Sequence, residues 1–323
     1  MRIVTMISFL VPTYNAEETL SPCLDSIMVQ RGPKEILIID DGSTDGSADV
    51  ASSYASRCPE VRLLRKIHGG EASALNFGIG EARGDLIAFV EADVELSPDW
   101  LEKLLPEFRD ARVAGAGGRI LPCPDDPWAA RIAGYEVMEK MGDRRRSAMH
   151  ISSANAIYRR EILDLWGPFE EELYNSCFDA NFNLRVVSSG RTLIYNPCAE
   201  VRHHYRPGVL GYLARQFQYA RYRPYLKRLK LYRGDRDLIL LTALGGGVLL
   251  SIPLGLLWPP LPLLAGIALL CSRIPMAVRF YMRYRDRAAF LYPVMGAGRG
   301  IIGAIGYLVG LLEKSLGREI LPR

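Results

Sequence analysis

The sequence predicts an α/β fold, a mostly parallel sheet flanked by helices, followed by a C-terminal helical membrane region. Three observations carry this. Short apolar runs alternate with helical periodicity through the first hundred residues. Three of those runs end abruptly in polar residues: Val11-Pro12-Thr13-Tyr14-Asn15, Ile38-Ile39-Asp40-Asp41-Gly42-Ser43-Thr44-Asp45 and Phe89-Val90-Glu91-Ala92-Asp93. Finally, no residue between Leu238 and Ser272 is charged. Apolar runs with polar ends describe buried parallel strands whose C-terminal tips open into loops, where open α/β sheets bind ligands. An uncharged run of that length can enter a bilayer.

Taken in order, Ile7 to Val11 reads as the first strand. A helix follows from Glu17 to Val29, with Leu20, Leu24, Ile27 and Met28 on one face. Glu35 to Ile39 is the second strand, and Asp45 or Ser47 caps a helix running to Tyr54. Val61 to Arg65 is a third strand. His68-Gly69-Gly70 forms a loop before a helix from Glu71 to Ala82, where Ala72, Leu75 and Ile79 recur with helical spacing. Leu86 to Val90 is the fourth strand. Ser97-Pro98 opens the next helix, with Ser97 as N-cap and Pro98 at the first helical position. This alternation predicts a doubly wound sheet. After Gly115 the rhythm breaks into strands at Ile120-Leu121-Pro122 and Ile157-Tyr158, separated by a helix near Trp128 to Met141.

The 323 residues suit a core domain plus an appendage. Met1-Arg2-Ile3-Val4 leads straight into the first strand without a signal peptide, so the core is expected in the cytoplasm. Cys23, Cys58, Cys123, Cys177, Cys198 and Cys271 show no CxxC pair and no metal-ligand spacing; they read as small buried residues in a reducing compartment. The net charge of +4 matters less than its placement, because nine Lys or Arg and one acid lie between Arg206 and Arg236. A basic stretch abutting an apolar run fits anionic lipid headgroups and the positive-inside rule better than nucleic acid, so no nucleic-acid partner is expected.

The expected domains are therefore 1–205, a catalytic α/β domain; 206–236, basic amphipathic juxtamembrane helices; and 237–323, membrane helices. Leu238 to Leu257 is one spanning candidate. After the Trp258-Pro259-Pro260 turn, Leu261 to Tyr281 returns toward Arg279, Arg283, Arg285 and Arg287, which match a cytoplasmic flank. Ala288 to Leu312 carries Arg299 and the GxxxG pair Gly306 and Gly310, which favours close helix packing; it spans, re-enters or lies flat. A buried hydrophobic hairpin in a soluble domain is the competing reading.

Acidic residues at two neighbouring strand tips suit a sugar nucleotide: one carboxylate for base or ribose, another for a divalent ion on the diphosphate. Asp40 and Asp41 equally fit the capping of a Gly-Ser turn. Together these motifs resemble an inverting family 2 glycosyltransferase of the GT-A type, from the start of the chain to about Tyr225. The resemblance implies a Rossmann-like GT-A fold and a nucleotide-sugar donor, with UDP expected. In that pattern Pro12 and Tyr14 flank the base, Asp41 accepts its ring N–H, and Asp40 adjoins it.

Glu91-Ala92-Asp93 matches the DxD position, although its first acid is Glu. Asp93 is the more direct ligand for Mg2+ or Mn2+, and Glu91 reaches ribose or the ion through water. Asp179 resembles the catalytic base; Phe178 stands where the family usually has an acid, and Asp179 equally suits capping a helix that begins at Ala180. Ser153 and Asn155 resemble the segment lining the donor sugar. His203-His204 offers one imidazole to the metal, because adjacent strand residues face opposite ways. Gln218 and Arg221-Tyr222 loosely resemble the QxxRW element, with Tyr in place of Trp; an interfacial amphipathic helix explains them equally.

The membrane region resembles that of succinoglycan-type glucosyltransferases. The acceptor expected from this is a hydroxyl of a lipid-linked or membrane-held glycan. Transfer to a polyprenyl phosphate and a non-catalytic membrane scaffold are the competing functions.

Overall fold

The computed structural model of the chain describes residues 6–171, 177–204, 208–225 and 236–317. Ser176, Tyr205, Arg206 and residues 226–235 of the basic run lie outside the described residues. The chain divides into two compact units, one formed by Met1–Cys123 with Val137–His204, the other by Pro124–Glu136 with Tyr205–Leu321.

The first unit is built on β1 (Ile7–Thr13), β2 (Lys34–Asp40), β3 (Val61–Arg65) and β4 (Leu86–Phe89), with α1 (Glu17–Met28), α2 (Ser47–Arg57) and α3 (Glu71–Glu81) between them. These four strands pair in parallel in the order β3-β2-β1-β4. Phe9, Leu10, Val11 and Ile36 through Ile39 are inaccessible to solvent, as expected of a parallel strand covered on both faces.

Beyond β4 the sheet becomes mixed. The remaining strands are β5 (Val94–Leu96), β6 (Val113–Pro122), β7 (Arg146–Ala148), β8 (Ala156–Arg159) and β9 (Thr192–His203). They extend the order as β4-β8-β6-β9-β5, with β7 also on β9; only β6 and β9 pair in parallel there. The parallel expectation thus holds for the first four strands. It yields where the chain returns by loops and short helices rather than by helical crossovers.

Helix α4 (Trp100–Leu104) begins later than the Ser97-Pro98 signal suggests, because Ser97 O accepts the Trp100 amide at 3.0 Å and closes a turn first. Helix α5 (Trp128–Met141) starts in the second unit and ends in the first; α6 (Arg160–Trp166) and α7 (Phe178–Ser188) complete the first unit.

Register decides what meets at the sheet's ligand edge. Thr13 lies opposite Asp40 and Leu10 opposite Phe89, so the tips of β1, β2 and β4 open on the same side. Antiparallel β8 starts where β4 ends, with Ala156 opposite Phe89, which delivers residues 153–155 to that edge. Val94 pairs with His203, which sets the end of β9 beside Asp93.

The second unit contains α8 (Val209–Tyr222), α9 (Arg236–Leu254), α10 (Pro260–Cys271), α11 (Ile274–Tyr284) and α12 (Tyr292–Ser315). Leu241, Leu269 and Ala297 form its buried centre with Leu244, Val248 and Ile301 packed around them. Glycines set the helix approaches: a Cβ on Gly245 would stand 2.2 Å from Gly300 O, and one on Gly310 2.0 Å from Arg221 O. The GxxxG pair therefore does pack closely, with α8 as its partner. Two stretches, Pro260–Tyr284 and Arg287–Ser315, are long and apolar enough to cross a membrane, while Ile239–Leu254 is a shorter apolar helix.

In β6, Gly118 approaches β9 so closely that a Cβ would lie 1.7 Å from Ala199 O, next to a register shift at Gly118/Arg119. Backbone cannot yield there, so Gly118→Ala is expected to lower stability by about 1–3 kcal/mol, the cost of overpacking. Chemical denaturation of the solubilised protein measures this; an unchanged midpoint would refute the close approach.

Candidate active site

The tips of β1 and β2 are laced together by side chains. Asn15, held at a positive φ of 51°, accepts the Thr44 amide through Oδ1 at 2.8 Å. Glu17 accepts the Gly46 amide, and Asp45 accepts the amides of Glu17 and Ser47. Asp40 is buried and accepts from the Ser43 amide at 2.9 Å and Arg65 Nε at 3.1 Å. It holds the turn.

Asp41 is equally buried, and its carboxylate anchors the loop before α3. It accepts from Lys66 Nζ at 2.6 Å and from the amides of Gly69 and Gly70 at 3.0 and 2.7 Å, and His68 Nδ1 stands 2.9 Å away. The His68 ring also stacks on the half-exposed Tyr14, with centroids 4.2 Å apart. Pro12 sits one residue before the end of β1, opposite Ile39.

A few residues along the edge, acids converge. His203 Nε2 lies 3.2 Å from Glu91 Oε2 and 3.6 Å from Asp93 Oδ1. One donor atom from each of the three falls within 4.8 Å of the other two, a spacing that suits a single metal ion. Two carboxylate oxygens and one imidazole fit a hard or borderline divalent cation such as Mg2+ or Mn2+. His204 turns instead to Glu95, 2.6 Å away, so His203 is the imidazole of the pair beside Glu91 and Asp93.

Ser153 connects this corner to the next. Its Oγ lies 3.2 Å from Glu71 Oε1 and 3.3 Å from Glu91 Oε1, and its amide points to Asp179 Oδ2 at 3.5 Å. Asp179 stands in the first turn of α7, where backbone amides and the helix dipole favour negative charge. Oδ1 accepts the Ala180 amide at 2.6 Å, and Oδ2 lies 3.0 Å from His150 Nε2. Phe178 faces inward and packs edge-on against Phe169 beneath the site.

The electrostatics divide these carboxyls. Burial alone would raise Asp179, but the charge and hydrogen bond of His150, with the amides of Ala180 and Ser153, outweigh it and hold the group below its ordinary range. Glu71 goes the other way. Burial and the carboxylates of Glu91, Asp179 and Asp93 push it well above the ordinary glutamate range, against a smaller opposing bond from Ser153.

Of the residues singled out from sequence, Glu91, Asp93, His203, Ser153 and Asp179 are linked through these contacts, and Tyr14 and Asp41 through His68. Asn155 is used within the protein: its Oδ1 accepts Trp100 Nε1 at 2.6 Å and its Nδ2 donates to Arg119 O at 3.2 Å. Gln218 and Arg221 belong to the second unit, where Arg221 Nε pairs with Glu313 at 2.8 Å. Sequence reasoning missed Lys66, His68, Glu71 and His150 as site residues. His68 and Glu71 adjoin a recognisable Gly-Gly loop; His150 lies in a stretch without periodicity and offered no signal.

Polar groups gathered at the carboxyl ends of the strands stand where open α/β sheets bind ligands. Residues 8–166 match the family Glycosyl transferase family 2, and this stretch of the chain belongs to that family. It is 27% identical over 236 residues to the uncharacterized glycosyltransferase EpsJ of Bacillus subtilis, covering 67% of this chain and 69% of EpsJ. It is 30% identical over 286 residues to an N-acetylglucosaminyltransferase of Rhizobium leguminosarum bv. viciae, covering 82% of this chain and 65% of that protein. In fold it resembles the mannosyltransferase PcManGT of Pyrobaculum calidifontis, solved with GDP-Man and Mn2+, at a TM-score of 0.61 and 18% identity, covering 94% of this chain and 86% of that one.

The depressed Asp179 carboxyl keeps its charge to lower pH than a free aspartate. Replacing His150 by Gln removes the leading favourable contribution, so the carboxyl titration should move to higher pH. Carboxyl carbon NMR shifts of labelled protein read this directly, and an unmoved titration would contradict the pairing.

Proposed function

We propose that this chain is an inverting glycosyltransferase that moves a sugar from a nucleoside diphosphate, UDP in our reading, to a hydroxyl of a lipid-linked or membrane-held glycan at the cytoplasmic face. The observation that supports it best is the continuity of the acid cluster. Glu91, Asp93 and His203 form a cation-binding pole, Asp179 with His150 forms a basic pole, and Ser153 joins them. A diphosphate at the first pole sets the anomeric carbon toward the second.

In this reading Asp93, Glu91 and His203 hold Mg2+ or Mn2+. When bound, the ion neutralises charge developing on the departing diphosphate. Asp179 takes the proton of the acceptor hydroxyl as that oxygen attacks the anomeric carbon opposite the leaving group. One base and no covalent intermediate suffice, and the configuration inverts. His150 keeps Asp179 ionised and oriented. Ser153 lines the sugar, Asn155 fixes that lining from behind through Trp100, and Asp40 holds the turn that presents Asp41.

The nucleobase takes the place His68 now occupies. The imidazole stacks on Tyr14 and points Nδ1 at Asp41, the two interactions assigned to the base, with Pro12 alongside. Transfer to a polyprenyl phosphate needs no base and leaves the His150–Asp179 pair without a task. The engagement of Arg221 by Glu313 also weakens its candidacy, with Gln218, as a phosphate-binding pair. A non-catalytic scaffold would not require the assembled cluster.

Two outcomes are expected. Asp179→Asn should lower turnover by about 10²–10⁴-fold, the usual worth of a positioned base, with UDP binding unchanged; near-normal turnover on the native acceptor would remove the base assignment. His68→Ala should lower the donor KM by about two- to tenfold, the net worth of one hydrogen bond, with kcat little changed. A raised or unaltered KM would show that His68 does not compete with the base.

A further inference from the structure

Helix length and apolarity alone would allow the second unit to cross a bilayer twice, but its packing does not favour crossing. Charged partners follow α12 on one side from before its start to near its end. Asp286 accepts from Arg131 Nε at 2.8 Å and from Tyr135 OH at 2.9 Å. Arg299 Nη1 lies 2.6 Å from Glu136 Oε1, whose other oxygen accepts from Tyr212 OH. Glu313 meets Arg221, and α8, with Arg215 exposed, lies against Gly306 and Gly310. A crossing α12 would carry α5 and α8, with these ionic groups, into hydrocarbon at high cost.

The second candidate crossing is not one continuous rod. It breaks at Ser272-Arg273 between α10 and α11. On α11 the exposed apolar residues Ile274, Val278 and Met282 run beside exposed Arg279 and Arg283. That is the pattern of a helix lying among anionic headgroups. What projects is the hairpin of α9 and α10. Its tip is strongly apolar and open, with Leu256 and Leu257 at 88% and 86% exposure beside Trp258. The buried cluster reaches Val248 on one leg and Leu269 on the other, with Ser251 the one further buried residue toward the tip among the described residues of the hairpin. Nine residues separate Val248 from Leu257 and Leu269 from Pro260, so both legs extend about 14 Å beyond this cluster at 1.5 Å per residue. Half of a hydrocarbon core is about 15 Å.

We propose that the α9–α10 hairpin enters a single lipid leaflet, with α11 at the headgroups, and that no segment of the described second unit crosses the bilayer. This rests on reading that unit as the membrane-binding part of the proposed transferase. The lipid side contributes anionic headgroups to Arg279 and Arg283 and acyl chains to Leu256, Leu257 and Leu263. Both ends of the described unit then stay on the side where nucleotide sugars reach the first unit.

The test uses the full chain with its native cysteines replaced by alanine and one new thiol at Leu257→Cys, beside a control thiol at Ser52→Cys on the exposed face of α2. A membrane-impermeant maleimide is applied to right-side-out and inside-out vesicles from expressing cells. The control should label from one side only, and the tip thiol from neither until detergent is added. Labelling of the tip from the side opposite the control means a crossing; labelling from the same side means no insertion, and either overturns the proposal. In the native chain, Trp258 fluorescence should be quenched by lipids brominated near the bilayer centre and not in Trp258→Phe; lack of quenching overturns it as well. Failure of the chain to float with phosphatidylglycerol vesicles defeats the membrane reading itself. None of these results bears on sugar transfer, which is assayed separately.

Discussion

Like charges must be held together before this site can do anything. Glu91, Asp93, Asp179 and Glu71 crowd one end of the sheet, and two unit charges at the spacing of Glu91 and Asp93, within 4.8 Å, repel by about 3–4 kcal/mol at an effective dielectric of 20. The protein meets this repulsion in three ways. His203 stands between Glu91 and Asp93, His150 and two amides stabilise Asp179, and Glu71 is driven toward its neutral form. The scaffold behind must be stiff enough to hold the acids in place. It is: β1 and β2 are buried along nearly all their length, and their tips are tied by Asn15, Glu17, Asp40 and Asp45. A divalent cation held by Glu91, Asp93 and His203 would relieve the remaining repulsion, which is why we read the cluster as poised for one.

Much of the first half of this arrangement was legible in the sequence, because local rules and the tertiary answer agree there. The strands read over Ile7 to Val11, Glu35 to Ile39 and Leu86 to Val90 became β1, β2 and β4, parallel strands whose tips share an edge, with ends shifted by one or two residues, and the helix read near Trp128 to Met141 has those bounds. Past Gly115 the order of strands depends on long-range pairings that no periodicity records. The meeting of Val94 with His203, and of Ser153 with Glu91, follows from antiparallel returns across the sheet. Strand alternation predicts that adjacent His203 and His204 face opposite ways; they meet different partners, Glu91 and Glu95, with His204 just past the end of β9.

His150 gave no signal in the sequence, and Glu71 gave only its place beside a Gly-Gly loop. Their importance comes from neighbours 29 and 82 residues away, Asp179 and Ser153. Phe178 looked like a lost acid; in the fold it is a core residue against Phe169, which positions Asp179 by anchoring the first turn of α7. In the second unit, composition announced apolar helices but not their depth. In our reading that depth is set by side-chain pairs such as Arg299 with Glu136, and by the glycines that bring α12 against α8 and α9.

The central claim is that the acid cluster binds a divalent cation together with a nucleoside diphosphate. Calorimetric titration of UDP into the protein with and without Mn2+, in the native chain and in Asp93→Asn, tests it most directly. The account predicts that Mn2+ strengthens UDP binding in the native chain and that Asp93→Asn abolishes this coupling. Equal UDP affinity with and without Mn2+ in the native chain would contradict it.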